Sequence, residues 1–135
     1  MTSFVADASV GISWAVPSQA NAGTDRLWEQ LAAGVIFVIP SLWMIEVANS
    51  LLLLARRARM SREERKLAWE QIQRLRWTLD DATAFGDLLE LADRYTLTSY
   101  DACYLELARR RGLPLASRDS RLNKAARRCG IQTLL

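Results

Sequence analysis

The chain has 135 residues, half of them hydrophobic and five of them tryptophan, which allows one domain with a full core and argues against disorder. It contains no His, which excludes Ser-His-Asp and Cys-His machineries and ordinary zinc-hydrolase ligation. Net charge is +3, and of 18 basic residues only Lys66 and Lys124 are lysines; guanidinium groups suit phosphate, although codon composition alone also produces an arginine excess.

A strand is predicted over 3–6 and a helix over 8–16. This N-terminus has no basic n-region and carries Asp7 inside its apolar stretch, so it is a poor signal peptide. A loop over 17–23 leads to Thr24, read as the cap of a helix with Leu27, Trp28, Leu31 and Ala32 on one face and Gly34 at its end. A β-branched strand over 35–39 stops at Pro40, and Ser41 is the N-cap of the long apolar helix that contains Glu46. Ser61-Arg62-Glu63-Glu64 has the form of a capping box and opens a helix to about residue 76.

A short strand follows near 77–79, then a helix from Asp81 with Phe85, Leu88, Leu89 and Ala92 at helical spacing. Thr98-Ser99-Tyr100-Asp101 opens a further helix that ends at Gly112. A strand over 114–117, a helix over 119–129 and a last strand over 131–135 complete the chain. Alternating strands and helices predict the α/β class: a three-layer α/β/α sandwich, with a central, mostly parallel sheet of four to five strands in a single domain spanning 1–135. No uncharged run beside Glu46 reaches the ~18 residues that span a bilayer. Cys103 and Cys129 form no disulfide or zinc pattern, so a soluble protein of the reducing cytoplasm is expected.

Glu46 is the one charge between positions 41 and 55 and stands where a core leucine is expected. A buried ionised carboxylate takes up a proton unless it is compensated, so Glu46 either reaches the rim of the fold or has a partner, of which a metal ion is the most economical. Asp7 lies at the end of the first strand and Asp119 just past the 114–117 strand, each at a helix start. The carboxyl ends of parallel strands form the ligand crevice, and right-handed connections bring Asp7, Glu46, Asp101 and Asp119 to that one edge. Taken singly, Asp7 and Asp119 also read as N-caps, and Asp101 as the acid of a capping box with Thr98. Together, four carboxylates repel unless cations are present, and oxygen-only ligation suits Mg2+ or Mn2+. Such a site activates water at a phosphoryl group, and the arginine-rich surface favours a phosphodiester over a sugar.

The motifs carry a resemblance. Phe4-Val5-Ala6-Asp7-Ala8-Ser9 resembles the opening of PIN-domain nucleases, and Ile45-Glu46-Val47-Ala48-Asn49-Ser50-Leu51 resembles their second motif. The segment from Thr98 to Ala108 resembles the third and Pro114 to Leu122 the fourth, with Arg118 standing where a small or apolar residue is frequent. Order, spacing and length resemble the VapC-type toxins of bacterial toxin–antitoxin pairs. The resemblance implies a Mg2+- or Mn2+-dependent endoribonuclease, usually a homodimer, inhibited by a small antitoxin. It implies that Asp7, Glu46, Asp101 and Asp119 are the metal-binding acids, with Ser9 as the neighbouring hydroxyl and Asn49 as the supporting amide. The chemistry expected is activation of water by an ion held by Asp7, Asp101 and Asp119, with Glu46 holding or positioning a metal.

Charge alone nominates Arg118 or Arg121 for a substrate phosphate. Basic residues cluster over 109–128 and 56–66, either to contact a polyphosphate backbone or as solvated helix faces. The alternative reading is a non-catalytic RNA- or partner-binding module of the same fold. A phosphoacceptor domain ranks last, because Asp7 is flanked by Ala6 and Ala8 and lysine is scarce.

Overall fold

Four parallel strands, β1 (Ser3–Ala6), β2 (Ile36–Ile39), β3 (Trp77–Leu79) and β4 (Leu115–Ala116), form the central sheet of the computed structural model, which describes residues Met1–Leu135. Their order is β3-β2-β1-β4. The seven helices are α1 (Ala8–Ala15), α2 (Ala22–Ala32), α3 (Leu42–Arg56), α4 (Arg62–Gln73), α5 (Phe85–Tyr95), α6 (Ser99–Arg111) and α7 (Ser120–Arg128). Helix α1 packs with α2, α3 and α4, whereas α6 packs with α5 and α7, which makes the three-layer α/β/α sandwich expected.

The central strands are apolar because both faces are covered: Phe4, Val5, Ala6, Phe37, Val38 and Ile39 are all buried. From β1 the sheet grows in one direction to β2 and β3 and in the other to β4. The chain therefore parts at the carboxyl ends of β1 and β4, the place where open α/β sheets leave a crevice. The register pairs Ala6 with Ala116, so Asp7 and Ser117 emerge side by side. The Asp7 amide still donates to the Ala116 carbonyl at 3.1 Å.

Several local expectations change. The predicted strand over 131–135 shrinks to one bridge, Leu115 with Thr133. Its partner β4 is two residues long, preceded by Pro114, which has no N–H to donate, so there is little edge to pair with. Helix α2 starts earlier than Thr24: Asn21 is the cap, and Asn21 and Thr24 exchange reciprocal side-chain bonds at 2.9 Å. Ser41 does not cap α3; its hydroxyl and amide both donate to the Asp81 carboxylate. That tie, and the Asp80 carboxylate accepting from the Ala82 amide at 2.9 Å, keep the chain non-helical until Phe85.

Part of the basic stretch over 109–128 turns inward. Arg110 bridges Asp80 at 3.0 Å and Glu106 at 2.7 Å, and Arg111 reaches Asp80 at 2.5 Å. These bonds to Arg110 hold the Asp80 carboxyl far below its ordinary value. Asp80 and Glu106 are buried, so the two arginines serve the core junction between β3 and α6 rather than a polyanion.

Trp14, Trp43 and Tyr104 are all buried. Trp43 is the pivot between α1 and α3: its indole N–H donates to the Asp7 carbonyl at 3.0 Å. Gly11 makes room for it, since a Cβ there would lie 2.3 Å from Trp43 Cζ2. Gly11→Ala is expected to lower stability by about 1–3 kcal/mol, as for other overpacked interiors, even though Ala is the better helix former. A denaturation midpoint equal to wild type would contradict that close α1–α3 contact.

Candidate active site

Asp7 is the residue after β1 and the N-cap of α1, accepting from the Val10 amide at 3.3 Å. It is 6% exposed. The Ser9 hydroxyl donates to Oδ1 at 2.5 Å, and the Ser117 hydroxyl donates to Oδ2. Each hydroxyl is aimed in turn by the chain after β4: the Arg118 amide donates to Ser9 Oγ at 3.0 Å and the Asp119 amide to Ser117 Oγ at 2.9 Å. The carboxylate is thus gripped from both sides of the crevice.

Glu46 lies on the second turn of α3, on its half-buried flank rather than in the core. Only Trp43, Val47 and Leu51 of this helix are buried, one stripe at helical spacing, and Ile45 is 69% exposed. Glu46 thus stands at the rim of the fold, one of the two alternatives its lone charge left open, on a helix that is apolar without being fully buried. Tyr104, on α6 and 1% exposed, donates its hydroxyl to Glu46 Oε1 at 2.5 Å. Asp101 sits in the first turn of α6, where the Thr98 hydroxyl accepts from its amide at 3.1 Å. The capping bond is one-way, which leaves the Asp101 carboxylate to face the crevice.

Asp7, Ser9, Glu46, Asn49, Asp101 and Tyr104 line one polar cleft of about 220 Å3, in which no Lys or Arg takes part. Burial pushes the Asp7 carboxyl above its ordinary value against the bonds from Ser117, Ser9 and Val10, and Asp101 adds repulsion. Burial likewise raises Glu46, with Asp101 and Asp7 adding to it. Asp101 is raised by burial and then by Asp119, with partial relief from the Thr98 side chain and then from Arg121. The Asp101 charge thus bears on both Asp7 and Glu46.

The remaining candidates are placed differently. Asp119 does not line the cleft: its Oδ1 accepts from the Arg121 and Leu122 amides, 2.8 and 3.1 Å away, as the cap of α7. It stands near enough to Asp101 to repel it. Arg118 turns away, its guanidinium donating to the Gln19 carbonyl. Arg121 acts on the cleft only through the field at Asp101.

No three of the acids stand close enough together to cage an ion as they are. The donor chemistry nonetheless fits a hard divalent cation: oxygen atoms only, with all three carboxyls raised first by burial and then by a neighbouring acid, in a cleft without a protein cation. Asp7, Glu46 and Asp101 are the residues that would hold it.

Sequence reasoning missed Ser117 and Tyr104. Ser117 occupies the first position beyond a strand at the switch point, the same signal that singles out Asp7. Tyr104 lies three residues after Asp101, on the same helix face.

A PIN domain model matches residues 4–128 of the chain. No curated protein matches it in sequence. The fold is similar to that of PAE2754 from Pyrobaculum aerophilum, with 22% identity, a TM-score of 0.73 and coverage of 98% of this chain and 84% of that one. It is similar also to FitAcB from Neisseria gonorrhoeae, with 14% identity, a TM-score of 0.67 and coverage of 96% and 95%.

A carboxyl raised by folding binds more protons folded than unfolded, so stability falls as pH climbs from the unfolded value through the folded one. In EDTA, Glu46→Gln is therefore expected to melt above wild type at neutral pH, because Gln removes the desolvated charge. The gap should close as pH falls below Glu46's ordinary value of about 4.5. Thermal melts across that range check this, and a gap independent of pH would contradict it.

Proposed function

The chain belongs to the PIN-domain family, whose members are generally metal-dependent nucleases, and from that premise we propose that it is a Mg2+- or Mn2+-dependent endoribonuclease. The observation that carries this reading is the convergence of Asp7, Glu46 and Asp101, from three separate elements, on one cleft without a protein cation. The RNA substrate and the toxin role, a VapC-type toxin held inactive by a small antitoxin, are supported by the order and spacing of the four motifs. On the same reading the chain works in the cytoplasm as a homodimer, with one nuclease domain over 1–135.

A divalent ion, when bound, supplies Lewis-acid stabilisation of phosphoryl charge and lowers the pKa of bound water. The chain's residues do the rest. Ser9 and Ser117 hold both oxygens of Asp7, so its orientation is set before substrate arrives. Tyr104 fixes Glu46 through Oε1, and Oε2 has no protein partner, which leaves it free to hold or position the ion. The water oxygen forms a bond to phosphorus as the bond to the leaving ribose oxygen breaks; the proton lost by the water passes to solvent, and the leaving oxygen takes one up from solvent. Asn49, exposed at the cleft rim, offers amide N–H groups to a phosphate oxygen. Asp119 supports the site at one remove, by shaping the start of α7 and adding negative field at Asp101.

One observation favours the alternative, a non-catalytic RNA- or partner-binding module: no three acids are gathered at ion-binding distance. Cleavage separates the two. Wild type is expected to cut single-stranded RNA in Mn2+ and to stop in EDTA. Asp7→Asn and Glu46→Gln should each cut at least about a hundredfold more slowly, the usual scale for loss of a group acting in the transition state. Rates equal to wild type in both variants would refute the assignment.

A further inference from the structure

Beside the carboxylate cleft lies a second groove of about 610 Å3, between the start of α2, the start of α7 and the last residues of the chain. Arg26, Arg118 and Arg127 line it, and no acidic side chain does. None of the three is in a salt bridge, all of which belong to Arg110 and Arg111. Their only protein acceptors are neutral: Arg118 donates to the Gln19 carbonyl and Arg127 to the Thr133 hydroxyl at 3.3 Å. Three guanidinium groups in one concavity, with no acidic side chain among them, form a site for an anion.

The groove is joined to the cleft through Ser117, which lines the groove and whose hydroxyl donates to Asp7. The Arg118 amide on Ser9 is a second link across the same wall. Asn123 also lines it, with Nδ2 donating to the Ser117 carbonyl at 2.9 Å. Its Oδ1 is the one buried side-chain polar atom left without a partner, beside the groove wall.

We infer that this groove is a second RNA subsite, in which Arg26, Arg118 and Arg127 bind backbone phosphates of nucleotides flanking the cut. The inference rests on the ribonuclease reading and extends it from the scissile bond to the path of the strand. It assigns Arg118, which charge alone nominates for a substrate phosphate, to a phosphate outside the cleft.

The test is fluorescence anisotropy of a labelled single-stranded RNA with the intact wild-type chain in EDTA, across a salt series. Arg26→Ala with Arg127→Ala is expected to weaken binding several-fold for any sequence. The slope of log K against log salt should become shallower by about 1.4, about 0.7 for each single-strand phosphate no longer neutralised. Arg56→Ala with Arg57→Ala removes the same charge elsewhere and should leave affinity and slope near wild type. An unchanged slope in the groove pair, or equal losses in both pairs, overturns the inference. Tighter binding of a poly-glutamate peptide than of RNA also overturns it, in favour of an acidic protein partner. Cleavage in Mn2+ is read separately: a groove that binds RNA on a chain that cuts nothing refutes the nuclease reading alone, and cutting with no groove effect refutes the groove alone.

Discussion

The burial of Asp7 at the parting of β1 and β4 is the constraint on which the rest of the structure depends. A carboxylate 6% exposed is tolerable only with its acceptors filled. The sequence meets that requirement with Ser9 from α1, Ser117 from the end of β4 and the Val10 amide. The same residue's carbonyl receives the Trp43 indole, and Trp43 fits only because position 11 is glycine. Sheet register, the α1–α3 contact and the loop into α7 are thereby tied to one residue. The hydroxyls are themselves held by the Arg118 and Asp119 amides, so the carboxylate is positioned by backbone rather than by mobile side chains.

What this arrangement does not do is neutralise charge. Hydroxyls and amides orient Asp7, yet burial and Asp101 still hold its carboxyl above its ordinary value. Glu46 is raised by burial and then by Asp101 and Asp7, and Asp101 by burial and then by Asp119. Elsewhere the molecule deals with buried acids by pairing them: Asp80 and Glu106 have Arg110, and Asp80 is held low as a result. The contrast between the two groups of acids is informative. A fold that supplies arginine to one and withholds it from the other stores electrostatic strain where an external cation would relieve it, the pattern of a functional site.

Most of the framework was legible in the sequence because its signals are local. The β-branched runs of β1 and β2, the capping box at Ser61 and the glycines after α2 and α6 follow from short-range chemistry. The elements misread are those decided at long range. Ser41 looks like a cap until Asp81, forty residues away, claims its hydroxyl, and the same contact delays α5 to Phe85. The 131–135 strand fails because its partner is too short, which composition cannot reveal. At the site, Asp7 and Asp101 stand out by spacing, and Glu46 by its lone charge, although the helix around it is apolar without being buried. Asp119 and Arg118 have the right positions in sequence, but their side chains serve the α7 cap and the Gln19 carbonyl. Ser117 and Tyr104 were hidden because a hydroxyl's role depends on which carboxylate it meets.

The central claim is that Asp7, Glu46 and Asp101 act together as a divalent-cation site. Calorimetric titration of Mn2+ into the RNA-free protein tests it most directly, comparing wild type with Asp101→Asn and with Asp80→Asn, an acid already paired with arginine. The claim predicts saturable binding by wild type, at least tenfold weaker binding by Asp101→Asn on the usual scale for a lost ligand, and unchanged affinity for folded Asp80→Asn. Equal affinity in wild type and Asp101→Asn, or no saturable binding at all, would contradict it.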